Sequence, residues 1–131
     1  MPAAIERHTS PALFAPPGYA HAVVSRAPAT VWTAGGVPLD AEGTIVGPGD
    51  LTAQAEQVLA NLTVALADAG AVPEQVVRTT VYVVTTDRAD LGVVGDAVQA
   101  SPFAPAASTL LGVALLGYEG QFVEIEATAV I

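Results

Sequence analysis

The chain has 131 residues, 52% of them hydrophobic and 13% charged, with a formal net charge of −9, no cysteine and only four basic residues, all arginine. This balance is that of a globular chain, expected to form one domain over residues 1–131, because disorder needs few apolar residues and many charges. It excludes thiolate nucleophiles, thiolate metal sites and lysine Schiff bases, and so acidic a surface repels phosphate backbones, so no nucleic-acid partner is expected.

No apolar run approaches the ~20 residues needed to span a bilayer, and the N-terminus lacks a basic region followed by an apolar one. A cytoplasmic protein with no membrane partner is expected. Residues 5–8 are a candidate edge strand. Residues 10–18 (SPALFAPPG) contain three prolines and read as an irregular loop delivering Tyr19 and His21, since proline is excluded from helix interiors and central strands. Strands are predicted at 21–25 and 30–33, the second ending at Gly35 and Gly36.

Residues 51–69 predict a helix. Leu51, Ala55, Val58, Leu59, Leu62 and Leu66 form one stripe, Asp50 is an N-cap, and Gly70 stands at the C′ position. The β-branched run 76–84 (VVRTTVYVV) predicts the central strand. A second helix is expected over 86–100, with Leu91, Val94 and Val98 on its apolar side, stopped by Pro102. Residues 107–116 and 122–131 read as two strands joined by a turn at 117–120, a closing hairpin. Alternation in the last strand puts Val123, Ile125, Ala127, Ala129 and Ile131 on one face and Phe122, Glu124, Glu126 and Thr128 on the other. The order β-β-β-α-β-α-β-β predicts an α+β fold, one mixed sheet with both helices on one face. Its uncovered apolar face is expected to pack on a copy of itself.

Several stretches fall together in a telling order: GYAHAV from Gly18, TAGGVP from Thr33, the helix LTAQAEQVLANLTVALADAG, VVRTTVYVV, FAPAAST from Phe103 and VEIEATAVI at the end. In this the chain resembles the reactive intermediate deaminase family, the YjgF/YER057c/UK114 proteins, from about Pro16 to Ile131. The resemblance implies a chorismate-mutase-like fold and a homotrimer whose sheets line a central barrel, with small-molecule clefts between subunits. It further implies hydrolysis of enamines and imines to ketones and ammonia without a cofactor. The family acid that orders the attacking water maps to Glu124 and the cleft tyrosine to Tyr19. Active members read P-x-R-[ST], whose arginine grips the substrate carboxylate. This chain has Ala107 there, and Thr109 where cysteine often stands.

Losing a charged contact weakens binding about tenfold to a few hundredfold. Ala107 therefore predicts weak deamination of small 2-imino acids and a less anionic, more apolar ligand. Each candidate also has an ordinary reading. Glu124 could be a solvated strand carboxylate, and Glu126 simply the outer face. His21 has the titration range of a proton shuttle but could only bond backbone. Tyr19 could cover a ligand or fill an interface. Trp32 reads as core or interface, and otherwise as pocket lining. Gly35 could offer its backbone N–H to a carbonyl, or be a strand-end turn. Thr109 could place a hydroxyl in the cleft. Two distant histidines without cysteine make no metal site. The leading reading is a trimeric enzyme acting on imines, enamines or related carbonyl compounds, with its substrate range altered at Ala107. The alternative is a non-catalytic ligand-binding or regulatory trimer, and a ribonuclease is disfavoured by the charge.

Overall fold

The computed structural model describes residues 4–13, 15 and 17–131. Of the irregular loop expected over 10–18, Phe14 and Pro16 lie outside the described residues. The elements are β1 (Ile5–His8), β2 (Ala22–Ser25), β3 (Thr30–Trp32), α1 (Leu51–Asp68), a 3-10 turn (Pro73–Gln75), β4 (Val76–Val84), α2 (Arg88–Gln99), β5 (Ala107–Val113) and β6 (Val123–Val130).

Both helices start where a carboxylate can meet an orphan backbone donor. Asp50 accepts from the Ala53 N–H at 3.0 Å and Asp87 from the Ala89 N–H at 2.9 Å. Helix α1 ends as its glycine suggests. Gly70 takes a φ of 90°, and the Ala71 N–H turns back to the Leu66 carbonyl at 2.8 Å. The stripe Ala55, Val58, Leu59, Leu62 and Leu66 is buried, and Val94 and Val98 of α2 join it over Val81, Val83, Val123 and Ile125 of the sheet.

Four strands form a mixed sheet in the order β3-β6-β4-β5, with β4 parallel to β5 and antiparallel to β6. This corrects the expected closing hairpin: β5 and β6 are not neighbours, because β4 lies between them. The crossover through α2 returns the chain parallel to β4 on one edge. Residues 114–122 then carry it past the end of β4 to the other edge, where β6 runs antiparallel. The most β-branched strand thus gains a ladder on both sides. The remaining strands pair separately as an antiparallel ribbon, β1 with β2, tethered to β5 where the Ala20 N–H donates to the Ala106 carbonyl at 3.0 Å.

A bulge decides which face β4 shows. The register steps from Val76↔Ala129 to Arg78↔Thr128, leaving Val77 extra. An extra residue reverses the alternation. Val76 therefore stays in the core with Thr79, Val81 and Val83, while Arg78, Thr80 and Tyr82 turn to the side away from the helices. On β6, Val123, Ile125, Ala127 and Ala129 are buried as the alternation predicts, whereas Ile131 lies beyond the strand and is exposed. The expectation that Trp32 is core does not hold within the chain: it stands on the open face, 77% exposed.

Candidate functional site

The open face can be read as rows across the sheet. One row runs Trp32, Thr128, Arg78, Ala107; the next contains Glu126, Thr80 and Thr109; a third contains Glu124, Tyr82 and Leu111. Polar chemistry therefore gathers on the side the helices leave open.

Glu124 is the most tightly positioned of the sequence candidates. Its Oε1 accepts from Gln121 Nε2 at 3.1 Å. Gln121 is itself buried and fixed, with Nε2 also on the Val123 carbonyl and Oε1 accepting from the Tyr118 N–H. The other side of the carboxylate lies flat on Gly35, where an added Cβ would stand 2.5 Å from Oε2. Gly35 is thus required for close approach rather than for an unusual φ. The next residue is held from both sides. Gly36 and Ile125 exchange backbone hydrogen bonds (N to O 2.7 and 3.2 Å), and an added Cβ on Gly36 would meet Leu62 Cγ at 2.8 Å. Helix α1 completes the arrangement. Asn61 Nδ2 donates to the Val37 and Leu39 carbonyls. The buried Gln54 donates to the Gly47 and Gly120 carbonyls and accepts from the Phe122 N–H at 2.8 Å.

Beside Glu124, the Tyr82 hydroxyl donates to Glu126 Oε1 at 2.8 Å. That hydrogen bond, then partial desolvation and the charges of Glu126 and Glu124, hold the phenol above its ordinary pKa. Glu126 is exposed on the outer face, as the alternation predicts, and there it accepts the Tyr82 hydroxyl.

Ala107 and Thr109 lie at the opposite edge. Strand geometry puts Glu124 roughly 16 Å from Ala107 and roughly 12 Å from Thr109, too far for one small molecule to touch both within a chain. Tyr19 and His21 sit against this edge, next to the Ala20↔Ala107 bridge, with their rings edge to face at 6.3 Å. His21 Nδ1 accepts from the Ser10 N–H at 2.9 Å. Tyr19 also borders a cavity of about 310 Å³ between α2 and the sheet, lined with Thr79, Val98, Phe103, Ser108 and Leu110. Trp32 borders a shallower depression on the open face with Arg78, Thr80 and Glu126.

Sequence reasoning missed Arg78. Its Nη2 donates to Thr109 Oγ1 at 2.8 Å, and its backbone is the register partner of Ala107. A guanidinium thus reaches the edge that carries Ala107 and Thr109 from the adjacent strand. Only the parallel register, across a separation of 31 residues, reveals this. Gln121 and Gln54 were missed too; as buried amides, they carry no motif. Among the described residues, no group of three or more His, Cys, Asp or Glu side chains could hold a metal ion, and no helix is long and apolar enough to cross a membrane.

Two helices on one side of a mixed sheet whose other side stays open define an α+β protein of the chorismate-mutase-like kind. The family model described as Endoribonuclease L-PSP matches residues 9–131, and the chain belongs to that family, the YjgF/Rid proteins. Among solved structures, it is similar to YyfB from Yersinia pestis, a protein of unknown function of the conserved Rid protein family. They share 36% identity over 98% of this chain and 100% of that one, with a TM-score of 0.86. It is also similar to Rv2704 from Mycobacterium tuberculosis, a member of the YjgF/YER057c/UK114 family, with 34% identity over 86% of each chain and a TM-score of 0.62. The YjgF gene product of E. coli shares 29% identity over 92% of each chain, with a TM-score of 0.66. No curated protein matches.

Proposed function

We propose that the protein is a homotrimeric hydrolase of small imines and enamines, with Glu124 as the group that positions and deprotonates water. The position of the Glu124 carboxylate carries this reading: it is pressed against Gly35 and held by the buried Gln121. A carboxylate fixed on both sides, with one oxygen committed to an amide, is preorganised to orient a water at the other. Water adds to the C=N carbon as Glu124 takes its proton. The proton passes to the nitrogen, and the C–N bond breaks, so that R₂C=NH and H₂O give R₂C=O and NH₃. An enamine first takes a proton at carbon to become the imine. Nothing is oxidised or reduced, so no cofactor is required.

The distance between Glu124 and the Ala107 edge supports a cleft between subunits, in which one chain supplies Glu124 and Gly35 and its neighbour supplies Tyr19, Ala107 and Thr109. Trp32 fits such an assembly as an aromatic covered by another copy. We assign His21 to positioning, since its Nδ1 already takes the Ser10 N–H and its ring abuts Tyr19.

The family label suggests RNA cleavage, but the charge of −9 opposes a phosphate backbone. Moreover, Arg7 is tied to the Pro105 and Glu74 carbonyls and Arg26 to Glu6. The test is ammonia release from a panel of imines generated in solution, some carrying a carboxylate and some neutral. Turnover that falls at least about a hundredfold in Glu124→Gln is expected. Ligand affinity without turnover across the panel would instead make the chain a binding trimer.

A further inference from the structure

The cavity between α2 and the sheet takes no part in the hydrolysis assigned to Glu124. Side chains alternate along β5, so Ser108 and Leu110 face this cavity, whereas Ala107 and Thr109 face the open side. Protein interiors are close-packed, and a space of about 310 Å³ beside the core calls for a reason. Three small residues supply it. Gly95 of α2 has no side chain, and Ala104 and Ala106 end at Cβ. The walls are apolar, and Val98, Phe103 and Ala106 are at most 9% exposed. Every described residue that lines the cavity is uncharged, in a chain with 13 acidic residues.

One polar feature interrupts these walls. Thr79 Oγ1 donates to Ser108 Oγ at 2.8 Å, and among the described residues neither hydroxyl makes a further side-chain hydrogen bond. Each hydroxyl has one proton to donate, and the bond between them uses only one of the pair. Thr79 is buried and Ser108 less so, so Ser108 carries the remaining capacity toward the cavity. One end of the cavity is built by residues 17–19, which are pinned to α2. Gln99 Nε2 donates to the Pro17 carbonyl at 2.7 Å. Gly18, at a φ of 78°, lies so close that a Cβ would stand 2.6 Å from Gln99 Cγ.

We propose that this cavity is a second binding site, for a small neutral molecule with an apolar ring system and one hydroxyl that hydrogen-bonds Ser108. An apolar cavity of ~150 Å³ accepts benzene, so about twice that volume suits a ligand of ~9–12 non-hydrogen atoms. A charged ligand would lose its hydration and meet no counter-charge, so the neutral lining selects against ions. A pure hydrocarbon would leave the Ser108 hydroxyl without a partner. This ligand is distinct from the one at the cleft, and its binding does not depend on turnover.

The experiment measures binding of 5-indanol, its hydrocarbon counterpart indane and the anion indane-5-carboxylate to the intact protein by ligand-observed NMR or calorimetry. Wild type is expected to bind 5-indanol with a Kd below about 1 mM, at least about tenfold tighter than the carboxylate. Gly95→Leu, which puts a branched side chain into the cavity, is expected to weaken 5-indanol and indane at least about tenfold. Ser108→Ala is expected to weaken 5-indanol about two- to tenfold without weakening indane. It decides the question if Gly95→Leu fails to fold. Glu124→Gln, on the other side of the sheet, is expected to leave 5-indanol binding unchanged. No binding of 5-indanol by wild type, equal affinity for the carboxylate, binding that survives Gly95→Leu, undiminished 5-indanol affinity in Ser108→Ala, or binding lost in Glu124→Gln would each overturn the assignment.

Discussion

At the scale of single residues, two adjacent glycines separate chemistry from packing. The nearest atoms a Cβ on Gly35 would meet belong to the Glu124 side chain, whereas those for Gly36 belong to Leu62 and Val58 of the core. Gly35→Ala is therefore expected to turn the carboxylate aside and lower turnover up to about a hundredfold, with stability changed by less than about 1 kcal/mol. Gly36→Ala is expected to cost about 1–3 kcal/mol by overpacking. Thermal melts and kinetics of the two variants check both. Tyr82 gives a second handle at this scale. Its phenol pKa is raised in the folded state, so the linked stabilisation is present below the unfolded value of about 10 and lost as pH rises through the folded value. A spectrophotometric tyrosinate titration should show a phase above the ordinary tyrosine range that is absent in Tyr82→Phe. Persistence of that phase in the variant would contradict the assignment.

At the scale of elements, what was legible in the chain was what local physics decides. Helix α1 could be read because its stripe, its Asp50 cap and its Gly70 stop all lie within one stretch. The two faces of β6 followed from alternation alone. Partner choice could not be read this way. The turn residues at 117–120 resemble those of a hairpin, but hairpins compete with non-local pairing. Here the β-branched β4 takes β5 and β6 on its two edges. The strand–helix–strand run from β4 through α2 to β5 did carry the signal for a parallel neighbour. Part of the site was hidden for the same reason. Glu124 could be picked out by its place on the polar face, whereas Arg78 reaches Ala107 only through register and the Val77 bulge. Gln54 shows how one element positions another. It joins α1 to the loops at Gly47 and Gly120 and to the first residues before β6. Gln54→Leu would strand these backbone groups in a buried setting and is expected to cost about 2–4 kcal/mol by denaturant melts. A loss below about 0.5 kcal/mol would contradict this role.

At the scale of the whole molecule, the helices cover one side of the sheet and leave the other with Trp32, Tyr82 and both β6 carboxylates. A trimer through this fold is expected to give a solution mass three times the 13.2 kDa of the chain, with Trp32 emission shifting to the red when subunits are separated by dilution or mild denaturant. A monomeric mass with an already solvent-like Trp32 spectrum would remove the inter-subunit cleft. The proposed assembly is what would bring Glu124 to the Ala107 edge of a neighbour, since the two lie roughly 12–16 Å apart in one chain. The central claim is that Glu124 performs hydrolysis at that cleft. The most direct measurement is steady-state ammonia release from the imine panel by wild type and Glu124→Gln, matched for folding and oligomeric state. The account predicts turnover by wild type that falls at least about a hundredfold in the variant. Equal rates for the two proteins, or no turnover of any imine by wild type, would contradict it.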